Sequence, residues 1–202
     1  MRNKVFALFA ILVSIILYSC AGGGENNKNS NVKLSPDFDL DQYTKAGKQY
    51  ADSAQKMLGM NLKMALAEGG AIGALNFCSI RAISITDSAA KMMNVDLQRV
   101  SDKPRNPMNT ADIEELKMIG AMKNMHDSGK SIDPIMVRKG NGAIGYYPII
   151  IQPFCLQCHG IPGREINPET AAVIAQLYPV DKAIGYEDGD LRGMWKVTMS
   201  EN

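Results

Sequence analysis

Residues 153–160 read "PFCLQCHG", and the core of that stretch, Cys155-Leu156-Gln157-Cys158-His159, brings two thiols and an imidazole into five positions. Three chemistries use such a set. Two thiols three positions apart can each add to one vinyl group of a single porphyrin, leaving the adjacent histidine under the ring as a ligand to iron. A Cys-x-x-Cys pair can supply half of a structural zinc site. The same pair can cycle between dithiol and disulfide. The other donors in the chain weigh against the last two. Past its first residues the chain offers only Cys78, Cys155, Cys158, His126 and His159 to a soft metal, with no second closely spaced pair to complete four zinc ligands. A thioredoxin-like switch sits at the strand-to-helix turn of an α/β unit. Here Pro153-Phe154 precedes the motif and Gly160, Pro162 and Gly163 follow it, which makes an irregular loop. The spacing therefore favours one covalent haem c, attached through Cys155 and Cys158, with His159 as an axial ligand.

The chain has four cysteines, and the first belongs to a different kind of chemistry. Arg2 and Lys4 open a short positive region, and residues 5–18, "VFALFAILVSIILY", are almost wholly apolar. Fourteen residues are too few to span a bilayer, which takes about 20 in a helix. A charged start and an apolar run of this length form an export signal. The run ends in Leu17-Tyr18-Ser19-Cys20, similar to a bacterial lipoprotein cleavage box, with Tyr18 in place of the usual small residue. The expected organisation is a lipoprotein signal peptide over residues 1–19, a lipidated Cys20 opening a Gly/Asn-rich tether over 20–36, and one domain over 37–202. That predicts an extracytoplasmic protein, lipid-anchored to a bacterial membrane on its periplasmic side or at the cell surface. Cleavage before Cys20 removes two basic residues from a balance of 22 basic and 21 acidic, leaving a net charge of −1. No electrostatic footprint for nucleic acid remains.

Other candidate residues are weaker. His126 falls in the last turn of a helical stretch, where an imidazole beside the negative helix end is ordinary. Methionines are numerous, 13 in all, but Met57, Met60, Met64, Met118 and Met122 recur at helical spacing and are expected to fill the core. Carboxylate pairs such as Glu114-Glu115 and Asp188-Asp190 have the pattern of solvated surface, and no Ser or Thr has a spare histidine partner except His126. No hydrolase constellation emerges, and an enzyme is not expected. Cys78 lies in an apolar stretch, "AIGALNFCSI", where a free cysteine most often serves as a small buried hydrophobe.

The elements that must position these residues follow from periodicity. Leu40, Tyr43, Gly47, Tyr50, Ala54 and Met57 alternate at steps of three and four, which predicts a long helix over 36–68, capped by Asp37 or Asp39 and stopped by Gly69-Gly70. A helix of that length covers a sheet or packs on a second copy, so a homodimer is one expectation. Residues 71–80 read as buried helix and 84–93 as a further short one; the glycines around Gly70 and Gly73 do not fit a nucleotide fingerprint. Residues 95–101 form a candidate strand. "KPRNPMNT" breaks regular structure, and Thr110 is the expected cap of a helix with Ile113, Leu116, Ile119 and Met122 on its apolar face. Two β-branched runs around Asn141-Gly142 form a hairpin, with Pro148 demanding an edge or a bulge. A short helix at 167–179, "NPETAAVIAQLYP", and a last strand, "RGMWKVTM", complete an α+β chain: helices first, then an antiparallel sheet with the Cys-x-x-Cys-His loop hung from it.

Four ordered stretches, "NFCSIRA" (76–82), "RVSDKPRNPMN" (99–109), "CLQCHG" (155–160) and "YPVDKAIGYEDGDLRGMWKV" (178–197), resemble a bacterial family of single c-type haem domains. The family's domains occur alone and as the extracytoplasmic input domains of sensor kinases. The resemblance spans roughly residues 40–200 and implies a PAS-like fold, a five-stranded antiparallel sheet with flanking helices. It implies that Cys78, in the "FC" motif, is the second axial ligand opposite His159. It further implies that Arg99, Arg105, Asn106 and Asn109 belong to an Arg-Asn-Pro loop whose guanidiniums suit haem propionates. Trp195 stands where the family tends to have a small residue, and either packs in the core or covers the haem. The functional expectation is a membrane-tethered sensor of redox state or a small gas that passes its signal to a partner protein. A periplasmic single-haem electron carrier is the second expectation. A peroxidase-like enzyme ranks last, because no distal acid–base pair is visible.

Overall fold

The computed structural model describes residues 39–200; the leader, Cys20 and the tether lie outside the described residues. The first element, α1 (Leu40–Met93), starts where the Asp39 carboxylate accepts from the backbone N–H groups of Asp41 and Gln42 at 2.9 and 3.1 Å. Gly70 breaks it, with φ +60° and ψ −160°, a backbone conformation closed to most side chains. Ala51 and Ala54 before the break and Ala89 after it share one core cluster. A straight helix would hold residues 51 and 89 about 57 Å apart, so α1 folds back at Gly70 into two arms. The expected stop at Gly69-Gly70 is thus a hairpin turn, and the two segments expected after it are one continuous arm. That arm is not buried throughout, since Ile80 is 72% exposed.

The sheet consists of β1 (Asp96–Val100), β2 (Ile135–Lys139), β3 (Gly142–Ile150) and β4 (Leu191–Met199), all antiparallel in the order β1-β4-β3-β2. Four strands are present among the described residues, one fewer than the resemblance implied. The β2–β3 hairpin turns at Gly140-Asn141. Pro148 stands beyond the last β2 rung, Ile135 opposite Tyr146, and next to an irregularity at Ile149/Ile150, so its missing N–H interrupts no β2 pairing. Alternation sorts the side chains: Ala143, Tyr147, Trp195 and Val197 face α1, while Ile144, Tyr146 and Met194 face α2 (Ile113–Asp127). Helices therefore flank an antiparallel sheet on both faces, an α+β plan consistent with the PAS-like expectation.

Two expectations about α2 need correction. Its cap is Asp112, in a reciprocal capping box with Glu115, whereas Thr110 closes the preceding 3₁₀ turn (Pro107–Asn109). Its buried face is Glu115, Ile119 and Met122, and Ile113 and Leu116 are exposed. The reason is Glu115 itself, which turns inward to accept from Lys196 Nζ at 2.6 Å and so is not the solvated carboxylate its charge suggested. Met60 and Met64 are likewise exposed rather than core, while Trp195 is buried against the α1 layer with its Nε1–H donating to Gln55 at 2.9 Å.

Candidate functional site

The Cys-x-x-Cys-His segment begins in a 3₁₀ turn (Pro153–Cys155) and ends in the single turn α3 (Leu156–His159). A loop from 181 to 190 straps it: Tyr186 N–H donates to the His159 carbonyl at 3.0 Å and Gly185 N–H to the Gly160 carbonyl at 2.8 Å. Arg105 reaches across from the Arg-Asn-Pro loop. Its Nη2 donates to the Cys158 carbonyl at 2.7 Å, and its Nε and Nη2 grip both Asp181 carboxylate oxygens at 3.2 and 2.9 Å. Asp181 in turn accepts from Ala183 N–H at 2.9 Å. α4 (Pro168–Leu177), capped by Asn167, packs Ile174 with Leu75 of the second α1 arm and with Cys158.

His159 is oriented by one bond, Nδ1 to the Ala183 carbonyl at 2.7 Å. A carbonyl only accepts, so Nδ1 carries the proton and Nε2 keeps its lone pair, the arrangement found in metal-ligating histidines. Burial, reinforced by Arg192 and Arg105, holds the imidazole well below the usual histidine range, so it is neutral. Cys158 is pushed up to about 11, chiefly by burial, and burial also raises Cys78 and Cys155. All three are free thiols.

These four side chains line one cavity of about 220 Å³ between the α1 arms, the α1-facing side of the sheet and the motif segment. Leu58, Leu62, Leu66 and Leu75 give it apolar walls. Yet among the described residues no three His, Cys, Asp or Glu side chains converge closely enough to hold a bare metal ion. The donors surround a space instead of a point, which suits a bulky group with faces to ligate and edges to anchor, and does not suit zinc.

Arg99 and Asn109 also line the cavity, as do Arg105 and Asn106. Asn106 is spoken for by the loop: its side chain accepts from Met108 N–H at 3.0 Å. His126 lies at the end of α2 beside Asp127, and neither it nor Met57, Met60, Met64, Met118 or Met122 lines the cavity. Trp195 does not line it either. Arg192 and Tyr178 do, and were not singled out from the sequence. Both lie in a stretch that carried the resemblance, but nothing in their local pattern separates them from surface residues.

A family model covers residues 32–200. The chain belongs to the Tll0287-like family. Among solved structures it is similar to the cyanobacterial haem protein Tll0287, at 20% identity over 81% of this chain and 95% of that one, with a TM-score of 0.55. At that identity the likeness speaks for the fold. No curated protein matches the chain. The Tll0287-like assignment agrees with the resemblance drawn from the four motifs.

Proposed function

We propose that this protein carries one covalent c-type haem and acts as a membrane-tethered, extracytoplasmic sensor of redox state or of a small gas. The reading is carried by the cavity that gathers Cys78, Cys155, Cys158 and His159 while leaving them too dispersed for a bare ion. The likeness to a protein described as a haem protein supports the same cofactor. A bound haem supplies an iron that changes oxidation state and accepts axial ligands. Cys155 and Cys158 would hold the ring by thioether bonds, His159, fixed by Ala183, would offer Nε2 to the iron, and Cys78 would offer its thiolate as a second ligand. The leucine-lined walls exclude water. The Arg105–Asp181 pair holds the motif's backbone in position. As a thiolate, Cys78 would favour the ferric state of a bound haem, and the α1 arm that bears it would link the site to a partner.

The test is optical. Purified protein is expected to give a c-type pyridine haemochrome that survives acid–acetone extraction. Its reduced form should bind carbon monoxide. Extractable haem would defeat the covalent reading. A reduced spectrum that keeps both ligands and ignores carbon monoxide would mark an electron carrier instead.

A further inference from the structure

Three arginines and no carboxylate line the cavity among the described residues. Arg105 is neutralised by Asp181, and its Nε and Nη2 are taken by Asp181 and by the Cys158 and Ala183 carbonyls. The other two are not. Arg99, on β1, forms no salt bridge, and its Nε is buried without a hydrogen-bond partner. Its aromatic neighbour is Trp195, with Cζ 5.8 Å from the ring centre. Arg192, at the start of β4, donates through Nη1 to Ser101 Oγ at 2.8 Å and to the Lys103 carbonyl at 3.0 Å, and stacks on Tyr186 at 5.5 Å. It too forms no salt bridge among the described residues, and Asp181, already gripped by Arg105, acts on it only at longer range. Burial pushes both guanidiniums below the usual arginine range; repulsion from Arg192 adds to it at Arg99, and repulsion from Arg105 adds to it at Arg192.

Two buried cations without a salt bridge are a destabilising arrangement unless a ligand completes it. Arginine forks match carboxylates bidentately, so the missing groups are anionic and planar. The cavity therefore lacks two negative charges, and a haem carries two propionates. We infer that Arg99 and Arg192, one from each of two neighbouring strands, bind the two haem propionates, and that Arg105 clamps the protein instead of the cofactor. The assignment rests on the haem reading above. It departs from the resemblance, which pointed to Arg99 with Arg105. Arg99 lies opposite Trp195 in the β1–β4 pairing, Arg192 stands three residues earlier on β4 at the register shift between the Ile149–Gly193 and Ile150–Leu191 rungs, and both line the same cavity.

The experiment uses the full haem-loaded chain and reads the propionate bending bands by resonance Raman, together with the midpoint potential. Haemochrome content is measured first. A wild-type chain without haem defeats the functional reading, whereas haem-loaded variants test this inference alone. Arg99→Gln and Arg192→Gln are each expected to shift a propionate band and to lower the potential, because a cation beside the ferrous haem is lost. Arg105→Gln should leave the bands in place and lower the melting temperature. If Arg192→Gln loads poorly, Arg192→Lys keeps the charge but loses the fork, and its band should still shift. Unmoved bands in the Arg99 variant or in the Arg192 variants, or a shift in Arg105→Gln, would overturn the assignment.

Discussion

Cys78 decides what kind of haem site this is. By itself the side chain could serve as packing, since it sits among apolar residues and burial raises its thiol. Its place on the cavity wall with His159 makes it an iron ligand in the proposed reading. Thiolate donates electron density and stabilises the ferric state, so Cys78→Ala is expected to raise the midpoint potential and abolish a low-spin His/thiolate signal in electron paramagnetic resonance. A variant with the wild-type signal and potential would reduce Cys78 to a filler. Arg105 and Asp181 make the second residue-level prediction. Their side chains are only 10% and 7% exposed, so removing one partner leaves the other buried and uncompensated. Asp181→Asn should destabilise the protein by about 3 kcal/mol or more, read as a lower denaturation midpoint with an unchanged slope.

At the scale of elements, α1 packs closely on the sheet at Gly47, where a Cβ would lie 2.1 Å from the Tyr147 hydroxyl. That hydroxyl donates to the Thr44 carbonyl at 3.1 Å, and burial pushes it up to about 12. Gly47→Ala must displace the ring or the helix, with an expected loss of about 1–3 kcal/mol. Tyr147→Phe removes the colliding atom, so the double variant should be less destabilised than the sum of the singles; strict additivity in denaturation would show that the contact is not the cause. The same region shows what the sequence could and could not reveal. Period-3.6 and period-2 patterns located α1, the hairpin and β4 because each has one apolar face. They could not reveal that Gly70 reverses the helix, since two glycines stop or turn a chain with equal ease. Nor could they orient α2, whose buried face is set by the Glu115–Lys196 pair, a contact between residues 81 positions apart. In the site, Cys155, Cys158 and His159 were legible as a contiguous motif. Arg192 was not, because its place on the cavity wall follows from the fold and is visible only in three dimensions.

For the whole molecule, the proposed membrane tether has to be reconciled with a cavity inside a folded domain. None of the described helices is long and apolar enough to cross a bilayer. α1 begins at Leu40, and its second arm carries Cys78 into the cavity wall, so any pull or partner contact near the start of α1 lies on the same element as the proposed switch ligand. Attachment is expected to come from Cys20, through Leu17-Tyr18-Ser19-Cys20, with the tether holding the domain off the surface. A doubly or triply acylated cysteine gives stable anchoring, while a single chain is marginal. Cys20→Ala should therefore move the protein into the soluble fraction and abolish incorporation of labelled fatty acid. Haem content and spectra should be unchanged, because among the described residues the cavity wall begins at Gln55. If the variant stays with membranes after salt and carbonate washing, the anchor is protein and not lipid, and the attachment must be sought elsewhere in residues 1–38.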